Sequence, residues 1–546
     1  MRNGQRIAVV AGVCAAVVSV VGFGAYSLLG GDDAEDGRSS STDGEASAGP
    51  EAGPPSEDEV LDTSAAFLDA WAAGDTASAA ALTDDPTAAR AALDALVTDA
   101  AVSELAVEPG APQGAEVPFA VDAVISYEEE APAELSYDSA LTVVRDGAGG
   151  EPRVAWAPSV LHPDLTKGQA IETGPVSEIP PVEVLDRNGA ELSADDYPSL
   201  APVLGELQER YGEEAGGTAG AETRIVDAEG ETVTRLVELS EPTAGEVPTT
   251  IDPAIQQAAE DAVAGAEGAQ ASVVAIQPST GAIQAIANRP ADGFDTALEG
   301  SYAPGSTFKI VTASLLMDQG LASPGAGHPC PKFFEHGGWE FQNLDEFEIE
   351  NGTFADSFAA SCNTAFISQA PELSDDDLGD HARNAFGLGL AWQVGVTSMD
   401  GAVPTQSDAQ MAASLIGQGA VRMNPLTMAS VSATVKNGAF LQPYLVPADF
   451  DGRELAQAPE GLATAGDLRS LMNRTATSGT AAEAMSGLGG DIGAKTGSAE
   501  VDGQEKPNAW FTGYRNDLAV AAVVPDSGHG GSFAGPVVAD VLRAAP

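Results

Sequence analysis

The most constraining feature of this chain is a set of short strand candidates, rich in apolar residues and divided between two distant parts of the sequence. They are residues 272–276, 283–287, 492–500, 509–515 and 518–524. Turn sequences join the first two at Pro278-Ser279-Thr280-Gly281 and the last two at Asn516-Asp517. A sheet that pairs both groups must carry the largely helical residues between them as an insertion. Residues 249–546 are therefore predicted to form an α+β domain with a five-stranded, mostly antiparallel sheet flanked by helices.

Charge and composition exclude several classes of function. The formal net charge of -58 argues against sequence-independent binding of nucleic acid or of an anionic membrane surface. The three cysteines, Cys14, Cys330 and Cys362, are too few for a disulfide scaffold, although a Cys330–Cys362 bridge remains open. The five histidines show no metal-ligand spacing, so no catalytic metal and no cofactor are predicted.

An uncharged run near the N-terminus predicts a single transmembrane helix. Residues 7–29 would span roughly 35 Å as a helix, which is enough to cross a bilayer core of about 30 Å. Arg2 and Arg6 precede the run and acidic residues follow it, so the short N-terminus is predicted to be cytoplasmic and the remainder extracellular. Residues 1–30 are assigned to this stub and anchor. A cleaved signal peptide is the alternative, although its apolar region is normally shorter.

Three further regions lie between the anchor and the sheet. Residues 31–57 are rich in Gly, Ser, Pro and acidic residues, and are predicted to be a disordered linker. Residues 58–165 are predicted to form a small α+β domain, and residues 166–248 a linker or dimerisation-like domain. In the small domain, apolar residues at helical spacing precede a second helix capped by Asp85-Pro86, and alternating strands follow. The first helix is indicated by Val60, Leu61, Phe67, Leu68 and Trp71.

A serine and a lysine three residues apart predict the nucleophilic chemistry. Ser306 and Lys309 follow a Pro304-Gly305 turn and open the apolar run 310–317, and a helix is predicted to start at Ser306. Residues three apart share one helix face, so a hydroxyl and an amine would project together. A serine is inert until a neighbouring base removes its proton, and Ser-x-x-Lys is one arrangement in which a lysine does so.

Two further motifs are each unique in the chain. Only Asn363 has a serine two residues before it, at Ser361, and only Lys495 begins a Lys-Thr-Gly sequence, with Thr496 and Gly497, on the third predicted strand. Lys436-Asn437-Gly438 is instead an ordinary helix end. Alone, each motif has a structural explanation as a cap, a loop residue or a solvated charge. Together and in this order, they indicate one active site.

At these residues the sequence resembles the transpeptidase domain of class B penicillin-binding proteins. The region around residues 58–165 resembles the N-terminal domain of the methicillin-resistance subgroup, with Leu161, Leu165 and Gly168 near the junction. The likeness to the transpeptidase proteins covers roughly residues 170–546. It also rests on Thr250-Ile251-Asp252-Pro253, Pro278-Ser279-Thr280-Gly281, Ile416-Gly417-Gln418-Gly419, Asn424-Pro425-Leu426 and Asn508-Ala509-Trp510-Phe511.

The resemblance implies a serine acyl-enzyme mechanism. Ser306 would attack the penultimate carbonyl of a D-Ala-D-Ala stem peptide, and Lys309 would take its proton. Ser361 would relay a proton to the leaving amine, and Asn363 would hold the substrate amide or Lys309. The backbone N–H groups of Ser306 and Ser498 would form the oxyanion hole.

The resemblance also implies how substrates and partners bind. Lys495 and Thr496 would meet the terminal carboxylate, and Gly497 would clear room for the substrate. Implied partners are peptidoglycan stem peptides, β-lactams, the membrane through the N-terminal helix, and a separate glycosyltransferase, with no nucleic acid. Two alternatives use the same fold: a β-lactamase or D,D-carboxypeptidase, and a non-catalytic cell-wall scaffold or β-lactam sensor.

Overall fold

A computed structural model of the chain describes residues 53–145, 150–176 and 180–544. The predicted membrane helix and most of the predicted linker lie outside these ranges. Of the helices within them, none combines the length and the apolar character that a membrane crossing requires.

The N-terminal part packs helices against an antiparallel sheet whose strands follow in the order β1-β2-β3-β4. A capping box begins its first helix, because Ser56 Oγ accepts from Glu59 N while the Glu59 carboxylate accepts from Ser56 N. The third helix begins at Asp85-Pro86, as predicted. The elements are α1 (Glu57–Ala72), α2 (Thr76–Ala81), α3 (Pro86–Thr98), β1 (Val102–Pro109), β2 (Glu116–Ile125), β3 (Ala133–Arg145) and β4 (Pro152–Val154).

Two details of this part differ from the prediction. Leu61 is 43% exposed, because at about 100° per residue it lies at the edge of the buried stripe of α1. The sequence pattern also missed α2 and β1. In β1 no residue is fully buried, so the strand lacks the apolar alternation by which strands are recognised.

Residues 166–248 divide their buried side chains between two cores. Ile171 of β5 and Ile225 of β7 join the core of the N-terminal part. Val184 of β6, Val247 of β9 and one face of α4 join the core of the C-terminal part. These residues therefore bridge the two parts. The elements are β5 (Ala170–Pro175), β6 (Glu183–Leu185), α4 (Ala201–Tyr211), β7 (Ala221–Val226), β8 (Thr232–Ser240) and β9 (Glu246–Pro248).

The C-terminal part contains the predicted five-stranded sheet. Its order is β11-β10-β16-β15-β14, and every neighbouring pair is antiparallel. The strands are β10 (Ala271–Ile276), β11 (Ile283–Arg289), β14 (Ile492–Ala499), β15 (Asn508–Arg515) and β16 (Leu518–Val524), with a separate hairpin of β12 (Phe333–His336) and β13 (Trp339–Gln342). The helices are α5 (Pro253–Gly265), α6 (Thr296–Glu299), α7 (Lys309–Asp318), α8 (Phe354–Ala359), α9 (Thr364–Ile367), α10 (Asp377–Phe386), α11 (Asp408–Ser414), α12 (Pro425–Asn437), α13 (Ala448–Asp451), α14 (Ala465–Ser478) and α15 (Gly530–Ala544).

Helices cover both faces of this sheet, which explains why the central strands β10 and β16 are buried at every position. In β16, Val520 and Ala522 face the core shared with α5 and α15, whereas Ala521 and Val523 face the core shared with the inserted helices. Strand β14, which carries Lys495, forms one edge of the sheet. The insertion lies on the face beside this edge, so Ser306, Ser361 and Lys495 meet there although they are distant in sequence.

Candidate active site

Ser306 lies in a tight turn immediately before α7. Residues Gly305–Phe308 form a 3-10 helix, and the α-helix begins only at Lys309. The predicted helix start at Ser306 is therefore a 3-10 turn, in which residues i and i+3 eclipse one another. Gly305 has φ +54°, and an added Cβ would lie 2.5 Å from the carbonyl oxygen of Ser498. This glycine permits the turn to pack directly against β14.

The amine of Lys309 is fully buried and makes two hydrogen bonds. Nζ donates to the carbonyl oxygen of Ser361 at 2.7 Å and to Oδ1 of Asn363 at 2.7 Å. Burial, and secondarily the charge of Lys495, hold the pKa of Lys309 well below the usual lysine value. The ring of Phe366, 5.5 Å from Nζ, acts in the opposite direction, because an aromatic face attracts the ammonium form. The neutral amine of this lysine is therefore more accessible than that of an ordinary, solvated lysine.

Ser361 occupies a left-handed position at the end of α8, with φ 59°. Its N–H donates to the carbonyl oxygen of Phe358 at 3.1 Å, and the N–H of Cys362 donates to that of Ser357 at 2.9 Å. These two bonds define a Schellman motif, in which glycine is the usual left-handed residue. The serine therefore holds a strained backbone conformation, and it presents its carbonyl to one lysine and its hydroxyl to another.

Asn363 is the residue immediately before α9, and its side chain contacts Lys309. Its Oδ1 accepts from Lys309, and its Nδ2 donates to the carbonyl oxygen of Gln342 at 3.0 Å. Its side chain makes no capping bond to α9, although an asparagine at this position normally caps the helix. The amide is directed into the site instead.

Lys495 approaches Ser361 from the opposite side, on β14. Nζ donates to Ser361 Oγ at 2.8 Å and to the carbonyl oxygen of Thr496 at 3.0 Å. Burial lowers the pKa of Lys495 to about 7. The two lysine amines thus meet the same residue, one at its carbonyl and the other at its hydroxyl.

Thr496, Gly497 and Ser498 line the open side of β14. Thr496 Oγ1 is 2.7 Å from Thr480 Oγ1, and an added Cβ at Gly497 would lie 2.9 Å from the carbonyl oxygen of Pro304. We expected Gly497 to clear room for a substrate. The structure gives a different reason, because the turn that carries Ser306 packs against this glycine.

A cleft of about 1690 Å³ opens over these residues. Ser306, Ser361, Asn363 and the strand residues from Thr496 to Ser498 lie along its floor, and Trp339 of the β12–β13 hairpin lies on one wall. Across the described ranges, no group of three or more His, Cys, Asp or Glu side chains could hold a metal ion. The hydroxyls of Ser306 and Ser361 and the amide of Asn363 line the cleft, and the two lysine amines lie buried behind them.

Comparison with known proteins identifies the family. The penicillin binding protein transpeptidase domain matches residues 271–543, which is half of the 546-residue chain. This chain belongs to the penicillin-binding protein transpeptidase family. The NTF2-like N-terminal transpeptidase domain named MecA_N matches residues 60–169, so the predicted likeness to the methicillin-resistance subgroup is confirmed.

Known relatives agree with this assignment. The peptidoglycan D,D-transpeptidase PbpA of Mycolicibacterium smegmatis is 29% identical over 56% of this chain and 73% of its own length. The D,D-transpeptidase domain of a peptidoglycan glycosyltransferase from Eggerthella lenta has the same fold, with a TM-score of 0.52, 23% identity, and coverage of 68% of this chain and 98% of that domain. A peptidoglycan synthase complex that coordinates polymerization and crosslinking also shares the fold, with a TM-score of 0.54, 22% identity and coverage of 69% and 92%. The predicted D,D-transpeptidase activity of this class B penicillin-binding protein is thereby confirmed.

A disulfide in this penicillin-binding protein joins Cys362, between Ser361 and Asn363, to Cys330. The sequence left this bridge open. It ties the middle residue of the second motif to the segment before the β12–β13 hairpin, so the motif is held covalently as well as by hydrogen bonds.

Sequence reasoning missed two polar neighbours of the transpeptidase site. Thr480 contacts the hydroxyl of Thr496, and Asn343 contacts the backbone of Asn363. Neither belongs to a recognisable motif, because their partners are distant in sequence. Only the fold brings them to the site.

Proposed function

We propose that Ser306 is the nucleophile of this transpeptidase and that Lys309 is its general base. A neutral lysine amine has two N–H groups and one lone pair. The two acceptors around Lys309, the Ser361 carbonyl and Asn363 Oδ1, take both N–H groups and leave the lone pair for the proton of Ser306. Oγ of Ser306 then forms a bond to the penultimate D-Ala carbonyl carbon of the stem peptide, giving a tetrahedral intermediate.

Ser361 and Lys495 are proposed to deliver the proton that the leaving group needs. Because Ser361 Oγ accepts a hydrogen bond from Lys495, its own proton is free to pass to the departing amine of the terminal D-Ala. The C–N bond breaks, and an ester on Ser306 remains. An amine of a second stem peptide then attacks the ester and gives up a proton to the Ser361–Lys495 pair, which restores the proton lost in acylation. Lys309 returns its proton to Ser306 Oγ as the ester bond breaks, and the cross-link is formed.

The developing oxyanion is proposed to bind the backbone N–H groups of Ser306 and Ser498. Ser306 lies in the first turn of its helix, where backbone N–H groups have no partner within the helix. A donor already in place stabilises the transition state without reorganisation.

The open edge of β14 is proposed to bind the donor peptide. An extended peptide can pair with an edge strand, and this would place its terminal carboxylate near Lys495 and Thr496. A carboxylate raises the pKa of a neighbouring lysine, so the arriving substrate would favour the protonated, positively charged form of Lys495. A local cation is needed because the chain carries a net charge of -58.

The single observation that supports these roles best is the convergence of two buried lysine amines on Ser361, beside Ser306 in one cleft. Taking a charged amine out of water is very unfavourable, and a structural role would not require two such groups 2.7–2.8 Å from one serine. A β-lactam resembles the same D-Ala-D-Ala carbonyl, so we expect it to acylate Ser306.

The cellular setting is proposed from the sequence. Residues 7–29 would anchor the chain as a single membrane helix with a cytoplasmic N-terminus and an extracellular catalytic part. The fold shared with a complex that coordinates polymerization and crosslinking supports a glycosyltransferase partner. Residues 58–165 and 166–248 would then act as a small α+β domain and a connecting domain that hold residues 249–546 away from the membrane.

A product analysis tests this function. The full-length protein in detergent is incubated with a stem peptide that ends in D-Ala-D-Ala, with and without a stem peptide that supplies a free amine. We expect D-Ala release and a cross-linked product, both absent in Ser306→Ala. Hydrolysed donor without cross-link would favour a carboxypeptidase, and no turnover by the native protein would favour a scaffold.

A further inference from the structure

Asn343, the residue after β13, is the centre of a hydrogen-bond network beneath the active site. Its side chain is buried, with only 1% of its surface exposed. Oδ1 accepts from the backbone N–H groups of Asn363 at 2.8 Å and Thr364 at 3.1 Å. Nδ2 donates to the carbonyl oxygens of Pro331 at 2.8 Å and Phe347 at 2.9 Å. All the hydrogen-bonding capacity of the amide is used.

These bonds anchor the start of α9, which Asn363 does not cap with its own side chain. The first N–H groups of a helix lack intrahelical partners, and an asparagine before the helix usually accepts one of them with its own side chain. Here the Asn363 amide turns towards Lys309 and makes no capping bond. Asn343 instead accepts from the N–H of Asn363 itself and from that of Thr364, the first residue of α9, so it anchors the start of this helix while the Asn363 side chain faces the active site.

The same short segment also sets the orientation of the Asn363 amide. The carbonyl oxygen of Gln342 accepts from Asn363 Nδ2, which leaves Oδ1 facing the amine of Lys309. Gln342 and Asn343 thus hold the side chain and the backbone of Asn363 respectively. A shift of either contact would move the acceptor away from Lys309.

We propose that Asn343 is a positioning residue for acyl transfer, which acts by holding Asn363 so that its amide oxygen meets Lys309. This inference rests on the roles proposed for Asn363 and Lys309. Because the Asn343 side chain is almost fully buried and its amide is used within the protein, its effect on the reaction is proposed to pass through Asn363.

Asn424 offers a matched control for an ordinary buried asparagine. Its side chain is also fully buried. Nδ2 donates to the carbonyl oxygens of Leu298 at 2.6 Å and Met399 at 2.8 Å, and Oδ1 accepts from the N–H of Thr427 at 2.9 Å. It caps α12, and its side-chain partners are Leu298, Met399 and Thr427 rather than residues of the proposed catalytic group, so we expect its loss to disturb packing without moving Asn363.

A double-mutant cycle on the full-length protein in detergent tests the proposal. Acylation by a fluorescent penicillin is followed over a range of concentrations, which separates the binding constant from the rate constant of the chemical step. The proteins are the native chain, Asn343→Ala, Asn363→Ala, the double variant and Asn424→Ala. Melting temperatures are measured for all five.

We expect Asn343→Ala to slow the chemical step about 10- to 100-fold, because a displacement of about 1 Å in a reacting group has an effect of this size. Its binding constant should change less than about threefold. In the Asn363→Ala background the same substitution should add less than about threefold, since two residues that act through one contact are not additive. Asn424→Ala should keep the native rate of the chemical step within about threefold.

Three results would overturn the inference: a native rate in Asn343→Ala, independent losses that multiply in the double variant, or an equal loss in Asn424→Ala. If Asn343→Ala does not fold, the cycle is repeated with Asn343→Asp, whose carboxyl can still accept from both N–H groups but cannot donate to both carbonyls. Failure of the native protein to be acylated would instead contradict the proposed function itself.

Discussion

Because Ser361 has a left-handed backbone, the effect of its backbone strain on stability can be measured separately from the effect of its hydroxyl on acylation. Ser361→Gly and Ser361→Ala both remove the hydroxyl that accepts from Lys495. They differ in the backbone, because alanine must keep a φ of 59° that costs a non-glycine residue about 1–2 kcal/mol. Glycine escapes this strain but loses about 0.4–1 kcal/mol through the greater freedom of its unfolded chain.

The difference predicts that Ser361→Gly is more stable than Ser361→Ala by about 1 kcal/mol. For a domain of a few hundred residues, this corresponds to a melting temperature about 2–4 °C higher. Calorimetry of the two full-length variants measures the shift, and acylation by a fluorescent penicillin should be equally impaired in both. Equal melting temperatures, or a more stable alanine variant, would refute the view that Ser361 is strained to serve the site.

Three further predictions follow from the same geometry. Lys495→Met should move the acid limb of the acylation pH profile to higher pH. The charge of Lys495 helps to lower the pKa of Lys309, and Lys309 must be neutral to act as the base. An acid limb that does not move would mean that the two amines are not coupled. Replacing both bridged cysteines with alanine should destabilise the protein by about 4 kcal/mol, as expected when a disulfide between cysteines 32 residues apart is removed. An unchanged midpoint of denaturant unfolding would contradict this. Gly497→Ala should slow acylation at least about tenfold, because the added Cβ would displace the turn that carries Ser306. The control is Gly461→Ala at an exposed position, where an added Cβ meets no neighbouring atom, and it should leave the acylation rate unchanged.

The parts of the fold that could be predicted are those whose burial is uniform. Every residue of β10 and β16 is buried, and all but Ser272 are apolar, because helices cover both faces of the sheet. The bounds of these two strands were predicted to within a residue or two. Strand β1 was missed because it is half exposed. The start of α7 was misplaced by three residues, since a 3-10 turn and an α-helix share the same apolar pattern over one turn.

The site divides in the same way. Ser306, Lys309, Ser361, Asn363 and Lys495 could be predicted as site residues because each belongs to a short motif with its own spacing. Asn343 has no such motif, since its partners are created by the packing of α9 against the base of the hairpin. The left-handed backbone of Ser361 was also hidden, because sequence preference favours glycine at that position.

The most direct test of the account is the position of the covalent bond that a penicillin forms with the protein. The full-length chain is incubated with penicillin, its intact mass is measured, and the adduct is located by peptide mapping. The account predicts one adduct, attached to the peptide that contains Ser306 and absent in Ser306→Ala. An adduct on another residue, or one that persists in Ser306→Ala, would contradict it.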